Sequence, residues 1–413
     1  MKTFEQLDNL NSSRLLFWTA WLAYAAAYVG RLNFSAALTT IINQGVFTKS
    51  QAGLIGTVFF FCYGGGQLFS GILADRFSPY KLIFAGLTLS AIANFLMFSL
   101  NDYILMTIVW GFNGLAQSLL WASVLFIISN ILHPEIRYKA CINIASSNVI
   151  GTLAAYIIAM ICSEFKWNTV FGISAAIMSV VVIVWVIVSL KTAEVSSEPK
   201  QTEAKSVITG TPVKFNKLLT ISGITIVMFA VMAHGMLKEG IMTWVPTMIT
   251  ETYNVKPSFS IFVSMVLPVI NLSGAYVATY LFERITKRHE IITSVYLMSF
   301  IIIPLIILLF IGRIPLLLCI ITLALTTMSM HAFNHVYITL APLRFREFNS
   351  TAKVTGIFNS ITYAGCAVSN FGFGWLSDIF GWKNTVYFWI GIAVIAIVIC
   401  LLAVKRWSKF ISS

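Results

Sequence analysis

Charged residues are scarce in this chain. Only 10% of its 413 residues are charged and 58% are hydrophobic. This excludes a soluble globular protein, because so little polar surface cannot cover a fold of this size. The apolar runs are about 20 residues long and lack the alternating pattern of an outer-membrane barrel. The sequence therefore predicts an all-α membrane protein.

Cysteines and buried acidic residues are also few. The six cysteines form no CxxC pair and have no histidine partner at ligand spacing. Glu239 is the one carboxylate that falls deep in an apolar run. No nucleophile, acid–base pair or metal cluster converges, so we expect no enzyme, no cofactor and no metal site.

Twelve apolar runs predict twelve membrane-spanning helices. Their residues are 15–37, 51–74, 81–100, 103–131, 140–162, 168–190, 219–250, 257–282, 290–311, 315–342, 353–377 and 384–404. The two termini and the even-numbered loops carry 20 of the 27 Lys and Arg residues, whereas the odd-numbered loops carry 5. This pattern predicts a cytoplasmic (inner) membrane protein with both termini in the cytoplasm. It also accounts for the net charge of +12 without nucleic acid.

A polar stretch divides the chain into two parts. Residues 191–217 include five lysines and three glutamates and contain no run that would bury an apolar face. The predicted domains are an N-terminal six-helix half (1–190), a flexible cytoplasmic linker (191–217) and a C-terminal six-helix half (218–413).

Ionic residues recur at matched intervals in the two halves. The matched pairs are Arg31 and Lys238, Asp75 and Glu283, and Arg137 and Arg344. The interval from the first pair to the second is 44 residues in one half and 45 in the other, and from the first to the third it is 106 in both. A parallel repeat of two six-helix halves resembles the major facilitator transporters, which bind substrate between their halves.

A short charged loop follows the second span. Its sequence, Gly71-Ile-Leu-Ala-Asp75-Arg76-Phe-Ser-Pro-Tyr-Lys81, resembles the major facilitator signature, although Ser78-Pro79-Tyr80 departs from it. The loop after the eighth span, Glu283-Arg284-Ile-Thr-Lys287-Arg288, corresponds to it. We expect both loops to form ion pairs at the cytoplasmic end of the bundle. The predicted gating residues are Asp75, Arg76, Arg137, Glu283 and Arg284. A second Gly-x-x-x-Asp copy, at Gly374 to Asp378, should lie outside, and we expect it to be structural.

Two cations lie inside predicted spans. An uncompensated Arg or Lys at the centre of a membrane helix costs roughly 2.5 to 3.5 kcal/mol, so Arg31 and Lys238 indicate a functional site. At 100° per residue, Tyr24 and Tyr28 share a helix face with Arg31, and His234 shares one with Lys238.

Several motifs are similar to those of the organophosphate:phosphate antiporter family, which includes glycerol-3-phosphate and hexose-phosphate transporters. They are Tyr24 to Phe34, Tyr63-Gly-Gly-Gly-Gln67, Leu115 to Trp121, Ser147-Asn148-Val149, Lys238 to Thr247 and Tyr363 to Ser369. The resemblance extends over nearly the whole chain outside the linker. It implies that Arg31 and Lys238 clamp the substrate phosphate, and that tyrosines line the cavity at Tyr24, Tyr28, Tyr63 and Tyr363.

The chain departs from the glycerol-phosphate branch at three of these positions. Gln67 replaces a second cation, Ser147 replaces a histidine, and Lys238 replaces an arginine. The site is therefore less positive, and an anion is a firmer expectation than a phosphate.

Other polar residues in the spans have more than one possible role. Glu239 has four: to neutralise Lys238 in the empty state, to carry a proton, to bond a substrate hydroxyl, or to serve a structural role away from lipid. His331, Asn334 and Asn359 are expected to line the cavity, to bond between helices or to contact the organic part of the substrate. His331 and His335 have metal-ligand spacing, but two ligands do not make a site.

These features predict a secondary active transporter of a small organic anion. The resemblance implies an organophosphate exchanged for inorganic phosphate, and we expect the two halves to expose the site to each side in turn by alternating access. We also expect a monomer that binds no nucleic acid. The alternatives are a proton-coupled organic anion carrier that uses Glu239 and a transporter-like sensor of sugar phosphates.

Overall fold

The computed structural model describes residues 6–194, 215–348 and 350–412, and these contain helices and no strand. The helices are α1 Leu10–Asn43, α2 Lys49–Arg76, α3 Pro79–Ser99, α4 Tyr103–Phe126, α5 Pro134–Cys162, α6 Thr169–Glu194, α7 Phe215–Ser222, α8 Ile224–Tyr253, α9 Pro257–Ser264, α10 Val266–Asn271, α11 Gly274–Tyr280, α12 Glu290–Leu308, α13 Leu316–His335, α14 Ala341–Leu343 and α15 Thr351–Ile411. Three π-helical turns, Ile127–Ile131, Leu281–Ile285 and Val336–Leu340, extend α4, α11 and α13. The predicted all-α class is confirmed.

The number of spans is close to the prediction. By length and apolar composition, ten helical runs within the described ranges are able to cross a membrane. One of them is α15, which contains Gly381 at φ 75° and ψ 171°. Only glycine adopts this backbone conformation readily, so Gly381 divides α15 into two segments. With this division and the 34-residue α1, which is not among the ten, the count is the predicted twelve.

Several helix ends differ from those predicted. α5 begins at Pro134 rather than at residue 140, because proline is favoured in the first turn of a helix. α6 continues to Glu194, and α7 begins at Phe215, so the helices extend into both ends of the predicted linker. Residues 195–214 of that linker lie outside the described residues.

The chain forms two compact units. The first comprises Met1–Thr40 and Phe61–Ser206, and the second comprises Ile41–Phe60 and Val207–Ser413. α2 therefore contributes its first residues to the second unit, although they precede the linker in sequence. The grouping of Ile41–Phe60 with the second unit has no counterpart in the sequence repeat.

Within the second unit, α8 and α15 pack with their backbones in contact. A Cβ atom on Gly365 would collide with the carbonyl oxygen of Met232, and one on Gly235 would collide with that of Thr362. Small residues permit such close approach between membrane helices. This packing sets the helix of Lys238 directly against α15.

A polar cluster joins the first turn of α2 to α8 and α15 in the second unit. Lys49 Nζ lies 2.9 Å from Glu251 Oε2 and 3.7 Å from Asp378 Oδ1. Asp378 Oδ2 accepts hydrogen bonds from the Ser50 backbone N–H (2.9 Å) and hydroxyl (2.7 Å). Trp382 Nε1 donates to Glu251 Oε2 at 2.7 Å. Asp378 thus lies at the positive end of the α2 dipole and beside a cation.

We expect Asp378→Asn to lower the free energy of unfolding by about 1 kcal/mol, because it removes the charge at the α2 terminus and beside Lys49. Denaturant unfolding of the purified protein measures this. Glu164→Gln, at an exposed carboxylate, is the control and should change stability by less than about 0.5 kcal/mol. Equal stability of the two variants would contradict the assigned contact.

Candidate functional site

In the first unit, Arg31 is a buried cation held between aromatic rings. It lies on α1 and is 7% exposed. Its Cζ atom is 4.9 Å from the centre of the Tyr28 ring and 4.6 Å from the centre of the Tyr63 ring. Cation–π attraction of this kind offsets part of the cost of removing the guanidinium from water. The two rings therefore hold the guanidinium in place.

The aromatic contacts continue away from Arg31. The Tyr24 ring lies 5.5 Å from that of Tyr28 and 5.0 Å from that of Trp121. The structure therefore brings Tyr24, Tyr28 and Arg31 together, as the helix-face argument expects, and it adds Tyr63 from α2. Gln67, one turn after Tyr63, donates a long hydrogen bond of 3.4 Å to the Ser118 carbonyl oxygen on α4.

Side-chain amides from α3 and α4 bind the backbone of α1 just before Arg31. Asn94 Nδ2 and Asn113 Nδ2 donate to the carbonyl oxygen of Gly30 at 2.9 and 3.0 Å. Gln117 Nε2 donates to that of Ala27 at 3.0 Å. These buried bonds fix the α1 backbone that carries the cation. Sequence reasoning missed Asn94 and Asn113, although two amides inside apolar runs are a signal in themselves.

In the second unit, Lys238 is partly buried on α8, one turn after His234. At this spacing the two side chains share one face of α8. The ion pairs found in the described parts of the chain are Lys49–Glu251, Lys49–Asp378 and Arg344–Glu290. Lys238 therefore forms no ion pair with the adjacent Glu239, whose side chain leaves α8 about 100° away. No carboxylate oxygen among the described residues lies within ion-pair distance of the Lys238 ammonium group.

The histidines of this region differ in their surroundings. His234 is buried, its Nε2 lies 2.9 Å from the carbonyl oxygen of Met330, and its ring stacks on Phe333 at 4.8 Å. The His234 side chain therefore connects α8 to α13 through a hydrogen bond and a ring contact. His331, Asn334 and His335 on α13 are partly buried. Among the described side chains, no group of three or more His, Cys, Asp or Glu residues is placed to hold a metal ion.

Asn359 and Tyr363 lie one turn apart on α15, the helix that packs against α8. Both are partly buried. The Tyr363 ring stacks on that of Phe60, with centres 6.2 Å apart and planes at 13°. Phe60 belongs to the part of α2 that lies in the second unit, so this stacking is internal to that unit.

The predicted gating residues are in different environments. Arg76 ends α2 and is exposed, and the side chain of Asp75 lies outside the described part of the structure. Arg137 donates from Nε to the Leu132 carbonyl oxygen at 2.8 Å and so binds the end of the π turn after α4. Glu283 and Arg284 are exposed in the π turn after α11.

A buried ion pair at the start of α12 was not predicted. Arg344 Nε donates to Glu290 Oε1 at 2.7 Å, and Trp407 Nε1 donates to Glu290 Oε2 at 2.9 Å. Glu290 is 1% exposed. The sequence repeat identifies Arg344 through its match with Arg137, but it does not show which nearby carboxylate is the partner.

The chain is similar in sequence to several known proteins. A family model described as Major Facilitator Superfamily matches residues 20–370, well over half of the chain. A probable hexose phosphate transport protein of Chlamydia pneumoniae is 29% identical over 106 residues, covering 26% of this chain and 23% of that protein. The membrane sensor protein UhpC of Escherichia coli (strain K12) is 33% identical over 110 residues, covering 27% and 25%. The glycerol-3-phosphate transporter of Bacillus subtilis (strain 168) is 24% identical over 302 residues, covering 69% and 68%.

The extent of these matches differs. This chain spans about a quarter of the length of the first two relatives and about two thirds of the third.

Among solved structures, a bacterial homolog of the human lysosomal transporter Spinster, inward-facing and unoccupied, has a TM-score of 0.76 at 14% identity. The superposition covers 97% of this chain and 99% of that one, and it shows a shared fold. The resemblance to organophosphate transporters that the motifs predict is confirmed by the relatives.

Proposed function

Because the chain belongs to the Major Facilitator Superfamily, we propose that it is a secondary active transporter of a small organic anion, an organophosphate that it exchanges for inorganic phosphate. One observation carries this proposal. Each compact unit contains a cation within a membrane-spanning helix, Arg31 in the first and Lys238 in the second. Such cations are costly in an apolar environment and are typical of a binding site for an anion.

The chemistry of the two side chains suits a phosphate group. A planar guanidinium binds two phosphate oxygens at once, and an ammonium supplies a compact point charge. The tyrosine rings that hold Arg31 reduce the freedom of its side chain before a ligand arrives, which lowers the entropy lost on binding. The similarity to a hexose phosphate transport protein and a glycerol-3-phosphate transporter supports an organophosphate as the organic anion.

Exchange follows from the same charges. In this proposal the bound anion offsets the positive charge of the basic residues that hold it, so a loaded transporter changes conformation more readily than an empty one. Alternating access would then expose the anion to each side of the membrane in turn. We also propose a monomer in the cytoplasmic membrane with both termini in the cytoplasm, in accord with the distribution of Lys and Arg.

The direct test uses purified protein in vesicles loaded with inorganic phosphate. We expect uptake of labelled glucose 6-phosphate or glycerol 3-phosphate only when phosphate is present inside. Uptake driven by a pH gradient without internal phosphate, and lost in Glu239→Gln, would instead support proton coupling. Absence of any flux with either substrate would contradict transport of these anions.

A sensor is the second candidate, favoured by the 33% identity to the membrane sensor protein UhpC over 110 residues. A sensor binds its ligand without moving it across the membrane. Saturable binding of a sugar phosphate by protein that shows no exchange in vesicles would support this alternative.

A further inference from the structure

We propose that Asn271 determines substrate specificity by forming a hydrogen bond with a hydroxyl group on the organic part of the substrate. Asn271 lies in the second unit, at the end of α10. The inference rests on the proposed function, because it adds a contact to the same anion site.

The amide of Asn271 is buried with an unused polar atom. Asn271 is 5% exposed, and its Oδ1 has no hydrogen-bond partner among the described residues. Its Nδ2 lies 3.7 Å from the sulfur of Met242, which is a weak acceptor. A buried amide in this state is unfavourable unless another group completes its hydrogen bonds. A hydroxyl both donates and accepts, so it completes them in either orientation of the amide.

Asn271 lies close to the cation of the second unit. Met242, which the amide contacts, is one turn after Lys238 on the same face of α8. On the other side, α11 begins at Gly274, where an added Cβ atom would lie 3.1 Å from the Cβ of His331. His234, one turn before Lys238, is bonded to the backbone of α13. Asn271 therefore lies beside the segments of α8 and α13 that carry Lys238 and His331.

The helix changes its hydrogen-bond pattern just after Asn271. Leu272 and Ser273 keep right-handed helical dihedral angles, but their backbone N–H groups donate to carbonyl oxygens three residues earlier instead of four. Pro268, one turn before Asn271, has no backbone N–H to donate. A short stretch of 3₁₀ hydrogen bonding inside a helix often marks a functional segment, in accord with a role for Asn271 in ligand binding.

The test compares two ligands on one variant. Asn271→Leu replaces the amide with an apolar group of similar size. We expect its affinity for glucose 6-phosphate to fall at least about tenfold. Its affinity for inorganic phosphate, which carries no organic part, should change less than about twofold. The unfolding temperature of the ligand-free protein should not fall, because the variant removes an unsatisfied buried group.

Two further variants complete the experiment. Ser273→Ala, at an exposed hydroxyl two residues away, should keep wild-type affinity for both ligands. Asn271→Ala should show the same selective loss as Asn271→Leu, which guards against a steric effect of leucine.

Each outcome decides the proposal. Three results for Asn271→Leu would contradict the role of Asn271 but not the anion site. They are an unchanged affinity for glucose 6-phosphate, an equal loss of affinity for both ligands, and a lower unfolding temperature without a selective loss of affinity. Failure of the wild-type protein to bind either ligand would overturn the proposed function, and the role of Asn271 with it.

Discussion

Arg31→Ala is expected to reduce organophosphate–phosphate exchange by about a hundredfold or more. Removing one partner of a buried, hydrogen-bonded charge pair costs about 2 to 5 kcal/mol, and each 1.4 kcal/mol corresponds to about a tenfold change. Arg31 is 7% exposed, so in the alanine variant little water is available to solvate the phosphate group in place of the guanidinium. The measurement is counterflow of labelled phosphate in vesicles at matched protein density.

Two comparisons separate a binding role from a structural one. Arg31→Lys keeps the charge but loses the planar guanidinium that binds two phosphate oxygens at once. We therefore expect its activity to lie between those of the wild type and the alanine variant. Arg313→Ala, at an exposed arginine in a loop, should keep full exchange. Loss of exchange by Arg31→Ala in protein that still folds, as measured by thermal unfolding without ligand, supports a binding role. Full exchange by Arg31→Ala would contradict the site.

Glu290→Gln is expected to lower the free energy of unfolding by about 2 to 3 kcal/mol. Breaking a buried ion pair typically costs about 3 to 5 kcal/mol, because the remaining charge has no partner. The Arg344 side chain is 35% exposed, so water compensates part of that loss. Trp407 Nε1 retains an acceptor in the glutamine variant, which makes the substitution a test of the charge.

Denaturant unfolding of the purified protein measures this effect, and Glu283→Gln is the matched control. Glu283 is an exposed carboxylate in the π turn just before α12, so its replacement should change stability by less than about 0.5 kcal/mol. A Glu290→Gln variant as stable as Glu283→Gln would show that the ion pair contributes little. The charge-pair assignment would then be wrong.

The Arg31 region shows why part of the site was predictable. Tyr24, Tyr28 and Arg31 lie on one helix, so the helical period alone determines that they share a face. The bonds from Asn94 and Asn113 to Gly30 come from other helices and depend on how those helices pack. For the same reason, the sequence did not identify the unused amide of Asn271 or the partner of Lys49.

Glu239 illustrates a different limit. Adjacency in sequence makes it an obvious partner for Lys238, yet no ion pair joins the two, because neighbouring residues on a helix point about 100° apart. Glu290 and Arg344, 54 residues apart, do form such a pair. Distance along the chain is therefore a poor guide to charge pairing in this fold.

By itself, the sequence determined the all-α membrane class, the succession of apolar spans and the two cations within them. These properties depend on hydrophobicity, helical period and charge, which are local. Only the tertiary structure decided that Ile41–Phe60 belongs to the second unit, that Asp378 binds the first turn of α2, and that Glu290 is buried against Arg344 and Trp407. Such contacts depend on which helix faces meet, because a buried polar group takes whatever partner the packing brings within hydrogen-bond distance.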